Sequence, residues 1–82
     1  MTKLIKLISK LNNAKNTFVW TDLVSLLTQL DYTKKEMAGS RVRFYNEKID
    51  SMILLHKPHP DNELKGGALK SVKTTLKQEG LL

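Results

Sequence analysis

The sequence predicts an α+β domain: a two-layer sandwich in which a three-stranded antiparallel sheet carries helices on one face. Three observations lead there. Apolar residues recur with helical spacing near both ends of the chain, whereas the middle alternates, most clearly in R-V-R-F-Y at 41–45. Turn-forming runs, A-G-S and N-E-K-I-D, separate the extended pieces and give the spacing of a meander.

Leu4, Leu7, Ile8 and Leu11 share one stripe, with Lys3, Lys6 and Lys10 opposite, so a first helix is predicted over 3–11. Thr2 would cap it and Asn12-Asn13 would end it. This reads as a core-covering helix with a solvated lysine face. Phe18, Val19 and Trp20 are expected to pack at the junction that follows; the alternative for Trp20 is stacking on a base. A second helix over 22–30, N-capped by Thr21, presents Leu23, Leu26, Leu27 and Leu30. Extended runs follow at 32–37, 41–45 and 51–55. In the middle run Val42 and Phe44 take one face, and Arg41, Arg43 and Tyr45 the other. A last helix over 67–79 buries Leu69, Val72 and Leu76 and shows Lys70, Lys73 and Lys77 as a second stripe. Gly80 stops it, and Leu81 and Leu82 fold back. The expected core is Phe18, Leu23, Leu26, Leu27, Leu30, Val42, Phe44, Leu69, Val72 and Leu76.

Eighty-two residues suit one small domain. The absence of cysteine excludes disulfides and thiolate metal sites and fits a reducing cytoplasm. Fourteen Lys and Arg against eight Asp and Glu leave a formal charge of +6, which favours an anionic partner: nucleic acid, an acidic protein or a membrane surface. The opening M-T-K-L-I-K-L-I-S-K-L superficially resembles a signal peptide, but Lys6 and Lys10 interrupt it and no A-x-A-like site follows. No stretch approaches the ~18 apolar residues of a membrane span, so a cytoplasmic location without a membrane partner is expected.

Four pieces of sequence, in order, carry a family resemblance: L-V-S-L-L-T-Q-L-D-Y, K-K-E-M-A-G-S, H-K-P-H-P, and N-E-L-K-G-G-A-L-K-S-V-K-T-T-L-K-Q-E-G-L. Together they resemble the HicA toxin family over roughly residues 20–82. The resemblance implies a fold similar to the double-stranded RNA-binding domain. It also implies a ribosome-independent toxin that cleaves mRNA and is neutralised by a HicB-type antitoxin. On this reading residues 1–82 form a single domain, with 1–16 an added helix and linker and 17–82 the core. The usual family motif places a catalytic histidine after the Gly-Ser pair; here Gly39-Ser40 is followed by Arg41. The chain resembles an arginine-bearing branch, G-S-R-V-R-F with H-x-P-H-P. Either the catalytic role has moved, or activity is altered or lost.

Metal-free RNA cleavage needs a base for the 2′-hydroxyl, an acid for the leaving 5′-oxygen, and a cation for the phosphorus oxygens. Histidine, whose ordinary pKa is about 6.5, suits the first two roles. Arginine, which stays protonated, suits the third and cannot serve as base. His56, His59 and Arg41 are the candidate catalytic residues. Arg41, Arg43, Lys34, Lys35, Lys65, Lys70 and Lys73 are the candidate RNA contacts. A hairpin around 46–50 would lay Arg41 or Arg43 beside the end of the third strand. Pro58 and Pro60 fix the backbone around His59, or simply end the strand. Each of these side chains also has a plainer reading, as a solvated strand arginine or a surface turn histidine. H-x-x-H lacks the further ligands of a closed zinc site, and a Ser40–His59 nucleophilic pair lacks an orienting third group; no metal or cofactor is expected. Two other functions stay open: an RNA-binding module without catalysis, and a domain that only binds its antitoxin.

Overall fold

The computed structural model describes residues 4–58 and 62–82. The predicted Thr2 cap and His59 lie outside the described residues. The chain runs α1 (Leu4–Asn13), β1 (Thr17–Val19), α2 (Trp20–Gln29), β2 (Thr33–Glu36), β3 (Arg41–Asn46), β4 (Ser51–His56), β5 (Glu63–Lys65) and α3 (Gly66–Gln78). Strands β2, β3 and β4 form the antiparallel meander, in that spatial order. The helices cover one of its faces, where Val42, Phe44, Ile53 and Leu55 join Leu23, Leu26, Leu27, Leu69, Val72 and Leu76 in one apolar cluster. The strand phase is as expected: Val42 and Phe44 are buried, Arg41 is exposed and Arg43 half-buried.

Helix α1 is more than a surface addition. Leu7 and Leu11 are completely buried in the common cluster, and burial of each leucine is worth roughly 1.5–3 kcal/mol. Lys10 Nζ also reaches Asp22 Oδ2 at 2.8 Å, tying α1 to the first turn of α2.

Two strands have no counterpart in the sequence prediction. β1 and β5 pair antiparallel, Phe18 opposite Leu64, as a separate two-stranded sheet. This pairing corrects the expected start of α2. The helix begins at Trp20, and its cap residue, Val19, makes no side-chain cap hydrogen bond. Trp20 N–H bonds Asn62 O at 3.0 Å, so the returning chain satisfies the first amide of the helix, and Thr21 lies inside the helix instead of capping it. Phe18 and Trp20 are buried as expected, with Trp20 edge-on to Phe44 at 6.0 Å between ring centroids. Val19 is not a packing residue: strand alternation turns it out, and it is 39 % exposed. Leu30 is only partly buried, because it sits at the C-cap of α2, where the chain leaves the core.

β4 reads as a continuous apolar run, yet it alternates in place. Ser51, Ile53 and Leu55 are buried, while Met52 and Leu54 stand exposed on the sheet face turned away from the helices. Ser51 Oγ meets Tyr32 Oη at 2.7 Å inside the protein. Asn46, also buried, donates to Leu30 O at 2.9 Å and accepts from Lys48 N–H at 3.0 Å, which locks the β3–β4 hairpin. At the end of α3, Gly80 takes φ +74° and Leu81 N–H returns to Leu76 O at 2.8 Å. Leu81 and Leu82 pack against the core there, as the sequence predicted.

Candidate functional site

The site lies at the end of the meander where the β2–β3 turn sits and where β4 runs out of the sheet. Between β2 and β3, Gly39 adopts φ +72°, and Met37 N–H bonds Arg41 O at 2.9 Å to close the reversal. A left-handed residue is needed there, and glycine supplies it without a Cβ penalty. Between β3 and β4 the register sets Arg41 opposite His56 and Arg43 opposite Leu54. One further hydrogen bond, Lys57 N–H to Ser40 O at 2.6 Å, extends this pairing into the loop.

Arg41, Arg43 and His56 therefore lie on the open face of the sheet. Lys35 joins them, since it is the β2 partner of Arg43. Arg41 Nε donates to Ala38 O at 3.3 Å, which holds the guanidinium over the Gly-Ser loop. A hollow of about 260 Å³ opens beside it, lined among others by Glu36, Ser40, Arg41 and Lys57. Residues carrying two cations, a hydroxyl and a carboxylate line it, but Glu36 is the partner of Val42 and so has the opposite strand parity to Arg41 and His56. Glu36 and Lys57 were not singled out from the sequence. Both had a legible signal in their place in the chain, Lys57 inside H-K-P-H-P and Glu36 inside K-K-E-M-A-G-S, three residues before Gly39. Farther along the same face Tyr45 Oη donates to Asp50 Oδ1 at 2.8 Å. That hydrogen bond to a carboxylate, with partial desolvation and the nearby negative charge, raises the tyrosine pKa above its ordinary value.

The remaining candidate RNA contacts do not form one patch with these. Lys34 pairs opposite Phe44, so it has the other strand parity from Lys35, and its Nζ lies 4.0 Å from Glu36 Oε1. Lys65 belongs to β5, opposite Thr17 in the two-stranded sheet. Lys70 and Lys73 lie on α3, in the helical layer behind the meander. Lys73 is half-buried: its Nζ donates to Ala14 O at 2.7 Å and Asn12 O at 3.4 Å, at the C-terminal end of α1. Among the described residues, no three His, Cys, Asp or Glu side chains come together as a metal site.

A helix, a three-stranded antiparallel meander and a second helix on the same face, with a basic site at the strand ends, define a small α+β domain whose fold is similar to that of the double-stranded RNA-binding domain. Residues 20–81 match the family model of the HicA toxin of bacterial toxin–antitoxin pairs, and the chain belongs to that family. It is therefore a toxin-type protein whose family implies an antitoxin partner. No curated protein and no solved structure matches the chain. No helix among the described residues is long and apolar enough to cross a membrane.

Proposed function

We propose that this toxin binds and cleaves mRNA in the cytoplasm without a metal ion, and that a HicB-type antitoxin neutralises it. The observation that carries the reading is the cross-strand pair of Arg41 and His56 beside the Gly39-Ser40 turn. Arg41, with Lys57 alongside, binds the scissile phosphate and steadies the charge that develops on its oxygens. His56 and His59 move the protons. One removes the proton from the 2′-hydroxyl, whose oxygen bonds to phosphorus. The other protonates the 5′-oxygen as the P–O5′ bond breaks. The products are a 2′,3′-cyclic phosphate and a 5′-hydroxyl. Glu36 is the carboxylate that lines the hollow.

Incubation of the purified protein with RNA in EDTA tests this. Cleavage with 2′,3′-cyclic phosphate ends is the expected result; RNA left intact from pH 6 to 8 at high protein concentration refutes it. The second reading, an RNA- or antitoxin-binding module without catalysis, is favoured by one observation: the position after Gly39-Ser40 holds an arginine, which cannot act as a base. Salt-dependent RNA binding without product selects it.

A further inference from the structure

A second concavity lies away from the Arg41–His56 pair. It is a cleft of about 610 Å³ between the end of α1 and the outer side of α3. Asn12, Asn13 and Lys15 form one wall; Lys70, Lys73 and Lys77 form the other. Among the described residues no carboxylate lines it. The first wall precedes the family match, which begins at residue 20. The added N-terminal segment thus turns a basic helix face into a walled basic cleft.

We infer that this cleft grips the phosphodiester backbone of an RNA strand, as a second contact region remote from the sheet site. The inference rests on the RNA reading above and names where the strand is held. Three features support it. Lys70 and Lys77 are seven residues apart on one helix, or ~10 Å along its axis, far enough apart for each to meet a different phosphate of one strand. Lys73 sets the walls through its bonds to Asn12 O and Ala14 O, so the cleft is held by a contact between its two sides. Its main apolar lining residue, Leu69, is only 2 % exposed and gives a protein partner little to anchor on. Lysine ammonium groups and asparagine amides suit phosphate oxygens, and such contacts fix position without reading sequence. Gly66, at the start of α3, also lines the cleft and adds the positive end of the helix.

The test uses the full chain and a labelled single-stranded 2′-O-methyl RNA, which lacks the attacking hydroxyl and cannot be cleaved by this route. Binding is measured by fluorescence anisotropy over a series of salt concentrations, for wild type and for Lys15→Gln/Lys77→Gln. Both positions are exposed, and circular dichroism checks the fold. Each lost phosphate contact lowers the log–log salt slope by ~0.7 for a single strand, so a loss of roughly 1.4 and an affinity drop on the order of tenfold at low salt are expected. An unchanged affinity, or a weaker affinity with an unchanged slope, overturns the cleft while leaving the sheet site standing. Absence of wild-type binding even at low salt overturns the cleft and the RNA reading together. If the variant keeps its RNA affinity and instead loses affinity for the antitoxin, the cleft is a protein surface and the inference is wrong.

Discussion

Arg41 and His56 are Cα partners across the β3–β4 ladder, on the sheet surface turned away from the helices. Their roles differ in kind, so their variants should differ too. Single-turnover cleavage of His56→Ala/His59→Ala is expected to fall by roughly 10²–10⁴-fold, the usual cost of a lost general acid or base, with RNA affinity little changed. Arg41→Lys keeps the charge but loses the two-pronged geometry, so part of the rate should survive. If the double histidine variant cleaves at the wild-type rate, Glu36 becomes the group to replace, and the histidine mechanism fails.

Phe44 is fully buried and meets Trp20 edge-on. Phe44→Ala should destabilise the domain by roughly 3–5 kcal/mol through lost burial and a residual cavity. Urea unfolding followed by the fluorescence of the single tryptophan gives the value; a change within ~0.5 kcal/mol, the range of an ordinary surface substitution, would contradict this packing.

The Tyr32–Ser51 hydrogen bond is buried, at 2.7 Å. Either Tyr32→Phe or Ser51→Ala strands a polar partner in the core, at a cost of about 1–3 kcal/mol. The double replacement should cost less than the sum of the singles, because it leaves no orphan. A double-mutant cycle that comes out strictly additive would show that the two hydroxyls are not coupled.

Lys70 and Lys73 share a sequence stripe but not a structural role. Lys70→Glu should leave stability within ~0.5 kcal/mol, as an exposed substitution does. Lys73→Glu removes the ammonium that satisfies Asn12 O and Ala14 O and puts an anion beside the negative end of α1. It should lower the melting temperature; equal melting temperatures for the two variants would refute the distinction.

Tyr45 provides a pH test of the sheet face. Its neutral hydroxyl donates to Asp50, and ionisation would place two anions together, so the folded pKa is raised. The contact is present below the ordinary tyrosine value and is lost as pH rises through the raised one. Asp50→Asn should move the tyrosinate absorbance transition to lower pH, with Tyr45→Phe assigning the signal. Asparagine suits the substitution because residue 50 sits at φ +49°.

The sequence by itself determined the elements whose signal is local. Apolar spacing at Leu23, Leu26 and Leu27 and at Leu69, Val72 and Leu76 requires buried helix faces, since those positions recur every turn. Alternation in R-V-R-F set the phase of β3. A tight antiparallel return brings the β3 arginines to the histidine end of β4, and the register then decides that Arg41, not Arg43, stands opposite His56. Tertiary structure alone decided the rest. A strand of three residues, such as β1 or β5, is too short to show a period, and its pairing depends on where a distant segment returns. That return satisfies the first amide of α2, which starts before Thr21. Apolar composition could not tell that Met52 and Leu54 face outward, since both faces of β4 carry apolar residues. Nor could a lysine stripe reveal that Lys73 closes one side of a cleft against Ala14: that contact exists only because α1 buries Leu7 and Leu11 in the same core that holds α3.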